Sequence, residues 1–581
     1  MSEKGRGAAR SRLSALASVY HRNFTRGREV SLTGSEALAG FDMVYAITQN
    51  TVNSQLAWLH RSGVIPKGVQ IGDLAGDGMA IGAAGAAATI AAPTVDFDTG
   101  SPRTARMIIA FTGGDISYYK GFGPSATVAT QPLKGWKIAF NVNLNLGQIA
   151  HEHLANSAAI PKEISDILSK FDPSMFSVQS IFMDFQNSDL ANYDPLNSAM
   201  NTDDAFLRQT FATHMGAWLK RQQGANQPFI LGYPVTRKAP PADVKSVFEP
   251  TGANLSVHAF ENPVGATTRQ PGLSTLNFLL VTGNRKITDE PRLFSGDAGS
   301  FHHNLVADNA VDGRAIIARK LFTSTYLYPL IVKPLQDRLH QQGDYVNARR
   351  DRGAGAEIND KSAPDRSHLA TFVETPTGWI YHDHVKLGWH ESGFYSHDRE
   401  SEQEVTFTVD ILTRKDQHGA PRLTVDIRSK LYRYEWDQQN TDVPPFKSNV
   451  YVGKGWASAT LTWEMTLMFV AGADGKISII KNSTVAPPAK DHGDAGAYKI
   501  ADFFSNLLNL HGISDNWRDN AVGLGNVETS VVNAFIGATG PILDGAMTHV
   551  VLPGASQFFY KNIQLNAAGD VEVDLAYKSE G

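Results

Sequence analysis

The strongest signal along the chain is a two-residue alternation of apolar and polar positions. Between Trp136 and Leu146, the residues Ile138, Phe140, Val142, Leu144 and Leu146 fall on one side, and Asn141, Asn143 and Asn145 on the other. Successive side chains of an extended strand point to opposite faces, so this pattern predicts a half-buried strand. Val405, Phe407, Val409 and Ile411 repeat it against Thr406, Thr408 and Asp410. Leu423, Val425 and Ile427 follow after a break at Gly419–Pro421, as the second arm of a hairpin would. Leu461, Trp463, Met465, Leu467 and Phe469 alternate with Thr462, Glu464 and Thr466, and Ala473-Asp474-Gly475 then turns the chain into Ile477–Ile480. Near the end, Val571, Val573, Leu575 and Tyr577 alternate with Glu572 and Asp574 after a turn signal at Asn566–Asp570. Short turns between long strands predict antiparallel pairing.

Helical spacing is rarer. It predicts helices at Asn50–Arg61 (with Val52, Leu56 and Leu59 on one face), Pro161–Phe171, Asp203–Arg221, Asn309–Leu339, Tyr498–Leu510 and Val527–Asp544. Within Asn309–Tyr328, Ile316, Ile317, Leu321, Phe322, Tyr326 and Leu327 leave little polar face, so this helix is expected to be wrapped, with Pro329 and Pro334 kinking or ending it. Long amphipathic strands with few helices make the expected fold class α+β. In it, strongly curved antiparallel sheets wrap around long apolar helices in an elongated body. The hydrophilic stretch Asp337–Arg366 divides the chain. The expected organisation is a basic arm at 1–39, a first part at 40–336, a linker or surface loop at 337–366 and a second part at 367–581. Lys67–Arg103 and Pro234–Thr282 show no clear period and predict no element, and no exact internal repeat is read.

Composition narrows the function. A chain of 581 residues with 42% hydrophobic and 19% charged residues can bury sizeable cores. A net charge of −5 does not suggest nucleic acid as a partner. Without any cysteine, disulfides, zinc–thiolate sites, iron–sulfur clusters and thiol nucleophiles are excluded. No run is apolar and long enough to predict a membrane span. The N-terminus carries Lys4, Arg6, Arg10, Arg12, Arg22, Arg26 and Arg28 against only Glu3 and Glu29, and lacks the apolar core of a secretory signal. Its readings are a solvated tail, an anchor to an anionic surface through those arginines, or an organellar transit peptide.

Catalytic chemistry is thinly represented. His151-Glu152-His153 lacks the full helical turn between histidines that a zinc helix needs. His382 and His384 share a strand face, and His390, taken as part of the next strand, is the third ligand of the best metal candidate; exposed strand histidines are the simpler reading. His302-His303 is a weaker pair of the same kind. Asp184, in the apolar string Ile181-Phe182-Met183-Asp184-Phe185, is expected to be structural and to require a backbone or cationic partner. Asp73 and Asp77 lack the oxygen spacing of a calcium loop, the Gly113-Gly114 and Gly121–Gly123 turns lack the lysine and hydroxyl of a phosphate loop, and no nucleophile elbow is present.

Several strings, taken in order, carry a resemblance. They are Gly40-Phe41-Asp42-Met43-Val44-Tyr45-Ala46-Ile47 with Val52-Asn53-Ser54-Gln55-Leu56, Phe140-Asn141-Val142-Asn143-Leu144, Phe182–Ser188, and Val551-Leu552-Pro553-Gly554-Ala555 with Phe559-Tyr560-Lys561-Asn562. Together they resemble the TULIP-like toxin-cluster protein family, named for a forty-seven-kilodalton clostridial protein encoded beside botulinum neurotoxins, with the OrfX proteins as relatives. The resemblance implies a tubular lipid-binding fold and no enzymatic activity, hence no catalytic residues and no cofactor. It also implies an accessory role in bacterial toxin systems, some insecticidal, with lipid or phosphoinositide contact.

The expected function is therefore a non-enzymatic lipid- or membrane-interacting protein, made in the bacterial cytoplasm and released without a classical signal peptide. Ile138, Phe140, Val142 and Leu144 are its lipid-facing candidates, and Arg6, Arg10, Arg12, Arg22, Arg26 and Arg28 its anionic-surface candidates. One alternative is a lipid-free scaffold that contacts toxin or accessory proteins of the same gene cluster through aromatics such as Trp379, Trp389, Trp436 and Trp456. The other is a metal-dependent hydrolase using His382, His384 and His390.

Overall fold

Met43–Thr48 is apolar at nearly every position, and all six residues are buried. A strand of that kind sits inside a sheet covered on both faces. The structure, a computed structural model, places it between Thr275–Val281 and Gly313–Ile317, antiparallel to both. It describes residues 38–577 except 83–86, 122, 155–159, 225–228, 240–246, 263–267, 335, 338–370, 376–377, 392–394, 413–421, 444–445, 472–476, 486–488, 496–531, 555–557 and 567–568. Gly252–His258 extends this first sheet on one side, and Val571–Tyr577 followed by Phe558–Leu565 on the other. C-terminal strands thus complete a sheet founded by an N-terminal one. Arg314 fastens the junction, donating to Glu572 and Asp574 at 2.8 Å each.

The helix Gln49–Ser62 follows at once. The Thr48 hydroxyl accepts from Thr51 N at 3.2 Å, and Gly63 closes the end at φ 87°, a left-handed conformation that suits glycine. Val52, Leu56 and Leu59 are buried, as their spacing requires. On another face, the Asn53 amide pairs with both backbone groups of Val95, at 2.7 and 3.1 Å. That contact ties the helix to the strand Thr94–Asp96 at the edge of a second sheet.

The second sheet has eight strands, with Lys137–Ile149 between Thr104–Gly113 and Phe176–Asp184, and Ile230–Arg237 and Val550–Val551 beyond. The alternation at Trp136–Leu146 belongs to Lys137–Ile149. Two stretches expected to lack elements contain strands. Within Lys67–Arg103 lie Gly68–Val69, Met79–Ile81, Ala88–Ile90 and Thr94–Asp96, too short to display a period. Within Pro234–Thr282 lie Gly252–His258 and Thr275–Val281, buried on both faces and therefore without alternation.

The third sheet has seven strands and is strongly curled and antiparallel throughout. Gly378–Glu391, Tyr395–Leu412, Arg422–Val443 and Phe446–Ala471 run to 14, 18, 22 and 26 residues. The longest spans about 85 Å at about 3.3 Å per residue. Register aligns the expected apolar positions across it: Trp379, Val409, Val425 and Met465 in one row, Tyr381, Phe407, Ile427 and Trp463 in the next.

One helix expectation needs correcting. Asn309–Leu339 is not a single helix, because Gly313–Ile317 is a strand of the first sheet and Leu321–Val332 is a π-helix containing Pro329. A central strand and a buried helix both demand apolar residues all round, so the run reads alike for each. Asn533–Met547 packs beside the π-helix, with Tyr326 Oη donating to Thr539 Oγ1 at 2.5 Å. Residues 498–510 and 527–531 of the other expected helices lie outside the described residues.

The helix Ala205–Gly224 is capped by Asp204, whose carboxylate accepts from the N–H groups of Phe206 and Leu207 at 2.9 and 3.1 Å. Its Gly216 lies so close to Leu190 that an added Cβ would come within 2.7 Å of the Leu190 carbonyl oxygen. Helix propensity alone would make Gly216→Ala a gain of about 1 kcal/mol. The contact instead predicts a loss of about 1–3 kcal/mol in urea denaturation; a more stable variant would contradict this packing.

Candidate functional site

The four lipid-facing candidates sit on the strand Lys137–Ile149 and are buried in the main core: Ile138, Phe140 and Val142 fully, Leu144 almost so. Register sets Ile109 opposite Ile138, Met107 opposite Phe140, Ala105 opposite Val142 and Met183 opposite Leu144. The helix Ala205–Gly224 covers this face. Its Phe211 meets Trp136 edge-on at 5.1 Å and lies tilted against Phe111 at 5.6 Å. The chain thus lays its own aromatic side chains over the face that the alternation exposes in the sequence.

A polar device secures the cover. Asp184 ends the strand Phe176–Asp184 and is buried. Its carboxylate accepts from Asn187 N at 3.2 Å, Asn187 Nδ2 at 2.7 Å, Asn145 Nδ2 at 3.1 Å and Gln223 Nε2 at 3.1 Å. The expected backbone partner is present, joined by side-chain amides. Burial pushes this carboxyl up, and the four donors together hold it below the usual carboxylate range. Gln223 belongs to the end of Ala205–Gly224, so Asp184 clamps helix to sheet.

The clamp recurs, which the sequence reading missed. Asp184-Phe185-Gln186-Asn187, Asp189-Leu190-Ala191-Asn192 and Asp194-Pro195-Leu196-Asn197 form a tandem Asp-x-x-Asn repeat with a period of five. In each, the aspartate accepts from the asparagine Nδ2, at 2.7, 2.8 and 2.8 Å. The serines after the first and third asparagines finish the job. Ser188 Oγ accepts from Asn143 N and Ser198 Oγ from Ala139 N, both at 2.9 Å. Phe176–Asp184 pairs with Lys137–Ile149 only from Asn143 onward, and the repeat supplies partners for the edge that remains. Arg106 adds 2.7 Å ion pairs to Asp96 and Asp194.

The other strings behind the resemblance are also glue. Asp42 holds Thr282 N and Arg285 at 2.8 Å each, and Tyr577 Oη donates to the Gln55 amide oxygen at 3.2 Å. Gly554 lies against the same Gln55 amide oxygen, where a Cβ would collide. The start and end of the chain therefore meet at the residues the motifs single out.

The remaining candidates separate. Arg6, Arg10, Arg12, Arg22, Arg26 and Arg28 lie outside the described residues. His382 is exposed on Gly378–Glu391. His390 occupies that same strand rather than the next one, eight residues on from His382 and about 26 Å away along an extended chain, so the three histidines do not converge on one ion. Register sets His384 opposite Glu404 and His390 opposite Asp398. Trp379, an anchor candidate of the scaffold reading, is buried as a packing residue, with its ring 6.0 Å from Tyr328. The side chains of Trp389, Trp436 and Trp456 lie outside the description. Among the described residues, no helix is long and apolar enough to cross a membrane.

At the base of the seven-stranded sheet, Met465, Leu467, Phe469, Trp379 and Tyr381 are buried. Phe469 meets Phe322 of the π-helix at 5.7 Å and Phe535 of Asn533–Met547 at 6.3 Å. By register, the rows farther out are mixed: Asp383, Val405, Ser429 and Leu461, then Val385, Gln403, Leu431 and Ala459, then Leu387, Ser401, Arg433 and Ala457.

No protein-family model matches the chain, and no curated protein matches it. Among solved structures it is similar to P47 of Clostridium botulinum E1, with TM-score 0.44 and 12% identity over 93% of this chain and 99% of that one. It is similar to P47 from Clostridium botulinum A2, with TM-score 0.44 and 11% identity over 93% and 98%. A lipopolysaccharide-binding protein aligns with TM-score 0.24 and 10% identity over 93% and 99%.

The clamp yields a prediction. Asp184→Asn removes the charge that four donors share and turns an acceptor into a donor, at an expected cost of about 2–3 kcal/mol at neutral pH. A carboxyl held low contributes stability above its unfolded value of about 3.8, and that stability is lost as pH falls through the lower folded value. In chemical denaturation the gap between wild type and Asp184→Asn should therefore close below about pH 3.8; a gap independent of pH would contradict the assignment.

Proposed function

We propose that the protein is a non-enzymatic lipid- or membrane-contacting protein, an accessory component of a bacterial toxin system of the kind that includes insecticidal ones. The observation that supports this most is the great length of the antiparallel strands in the seven-stranded sheet. Its strands reach 26 residues, about 85 Å. The helices meet the base of the sheet at Phe469, and the register rows farther out carry Val405, Leu461, Val385, Leu431 and Leu387 among polar positions such as Gln403 and Ser401. Apolar positions of this kind suit an acyl chain, each buried methylene contributing about 0.8 kcal/mol. The basic arm adds about 1 kcal/mol per Lys or Arg at an anionic leaflet, phosphoinositide-bearing ones included, and loses it as salt rises.

A second reading is a lipid-free scaffold that binds toxin or accessory proteins from the same gene cluster. It is favoured by the face of Ile138, Phe140, Val142 and Leu144, which the chain buries in its own core. Organic extraction of the purified protein, mass spectrometry of the extract and flotation with anionic liposomes separate the two. The first reading expects co-purified lipid or salt-sensitive flotation. A clean extract with no flotation contradicts it and leaves the scaffold.

A further inference from the structure

The face of the second sheet turned away from the main core has a small core of its own. Val178, Tyr233, Val235 and Val551 lie beneath Leu154, Ile160, Ile164 and Leu168, the last two on the helix Lys162–Leu168. His549 stands at its margin, buried, with its ring 5.4 Å from Phe171 and 5.6 Å from Phe176. Its carbonyl accepts from Val235 N at 2.8 Å, and after it only the two-residue strand Val550–Val551 pairs with the sheet. His549 Nδ1 has no hydrogen-bond partner; neither have Tyr233 Oη and Arg237 Nε.

The charged neighbours are of the wrong sign for an imidazolium. Arg237 ends the adjacent strand, lies 5.8 Å over the Phe176 ring and raises the cost of a second positive charge on His549. Glu249, the nearby carboxylate, is engaged by Arg237. Of the ionisable groups flanking the packed elements, Lys238 donates to Pro173 O and Asp172 accepts from Ser174 N and Oγ. Lys170 adds a further cation beside Phe171, and Lys162, Glu163 and Asp166 on the covering helix are exposed, with Lys162 and Asp166 paired to each other. His549 therefore lies between two aromatic rings and a cation, and no counter-ion faces it among the described side chains.

We propose that His549 is an acid-sensitive latch, whose protonation frees the cover at 160–171 from this face and exposes Val178, Tyr233, Val235 and Val551. Burial drives the closed imidazole down to about 4, against the backbone contact at Val235 and with help from Arg237. Once exposed, the ring returns to about 6.5. Between these values the open form binds more protons, so falling pH favours opening, by about 20-fold at pH 5 relative to pH 7. Asp184 and Asp194, held below the usual carboxylate range, titrate beneath this window.

Hydrogen exchange of the full chain, followed by mass spectrometry from about pH 7.5 to 4.5 and corrected for intrinsic rates, tests the latch. Segments 160–182 and 548–552 should lose protection as pH falls, while Thr275–Val281 keeps it. His549→Phe should hold the cover closed at about pH 5. Arg237→Gln, which removes the repelling charge, should raise the closed value and so lessen the loss of protection reached at about pH 4.5, with its start unmoved and His549 retained. A pH-dependent loss in Arg237→Gln no smaller than that of wild type, an equal onset in a folded His549→Phe, or loss of protection in all strands together would overturn the proposal.

Discussion

The requirement that every apolar sheet face find a cover governs this molecule. Long strands outnumber helices, and a sheet face of Ile138, Phe140 and Val142 left in water would forgo about 1.5–3 kcal/mol per large side chain. The answer is economical in helices. Ala205–Gly224 places Phe211 between Trp136 and Phe111, and Gly216 lets its backbone settle against Leu190. The π-helix and Asn533–Met547 share Phe469 at the foot of the seven-stranded sheet. Lys162–Leu168 covers the opposite side of the second sheet.

Edges pose the same problem in polar form, because unpaired strand N–H and C=O groups need partners. The Asp-x-x-Asn repeat meets that need locally. Each aspartate folds its own turn, and Ser188 and Ser198 cap Asn143 N and Ala139 N, four residues apart on Lys137–Ile149. Asp184 also takes Gln223, so edge and face are closed by one residue. The contrast with His549 is instructive. Asp184 is a buried ionisable group with every acceptor used, whereas His549 is buried with an orphan nitrogen and a cation beside it. The first stabilises the charged form and the second the neutral one, so acid acts on them at different pH.

Legibility in the sequence followed exposure. Strands with one wet face, such as Lys137–Ile149 and Val571–Tyr577, announce themselves by alternation. Strands buried on both faces, such as Thr275–Val281, look like any apolar run, and Gly313–Ile317 merged with the apolar helix that follows it. Helices with caps and a clean stripe, Gln49–Ser62 among them, were readable to within a residue or two. Contacts between distant strings were not: nothing local in Gln55 tells that Gly554 and Tyr577 will close on it. The Asp-x-x-Asn period was present in plain letters, but polar turn residues read as loop whether or not they cap an edge. For the site, the apolar strand positions Ile138, Phe140, Val142 and Leu144 lie in the core, and alternation cannot say whether a helix or a ligand covers such positions. Strand histidines mislead similarly, since their convergence depends on where one strand ends.

On the proposed function, lipid contact would fall on the long strands of the seven-stranded sheet rather than on the face that Ala205–Gly224 covers. Photolabelling with a diazirine-bearing fatty acid, followed by peptide mapping, tests it directly. The account predicts adducts on Gly378–Glu391, Arg422–Val443 and Phe446–Ala471, around Val385, Leu431 and Leu461, and none on Ile138–Leu144. Adducts concentrated on Ile138–Leu144, or no specific adduct anywhere on the long strands, would contradict it.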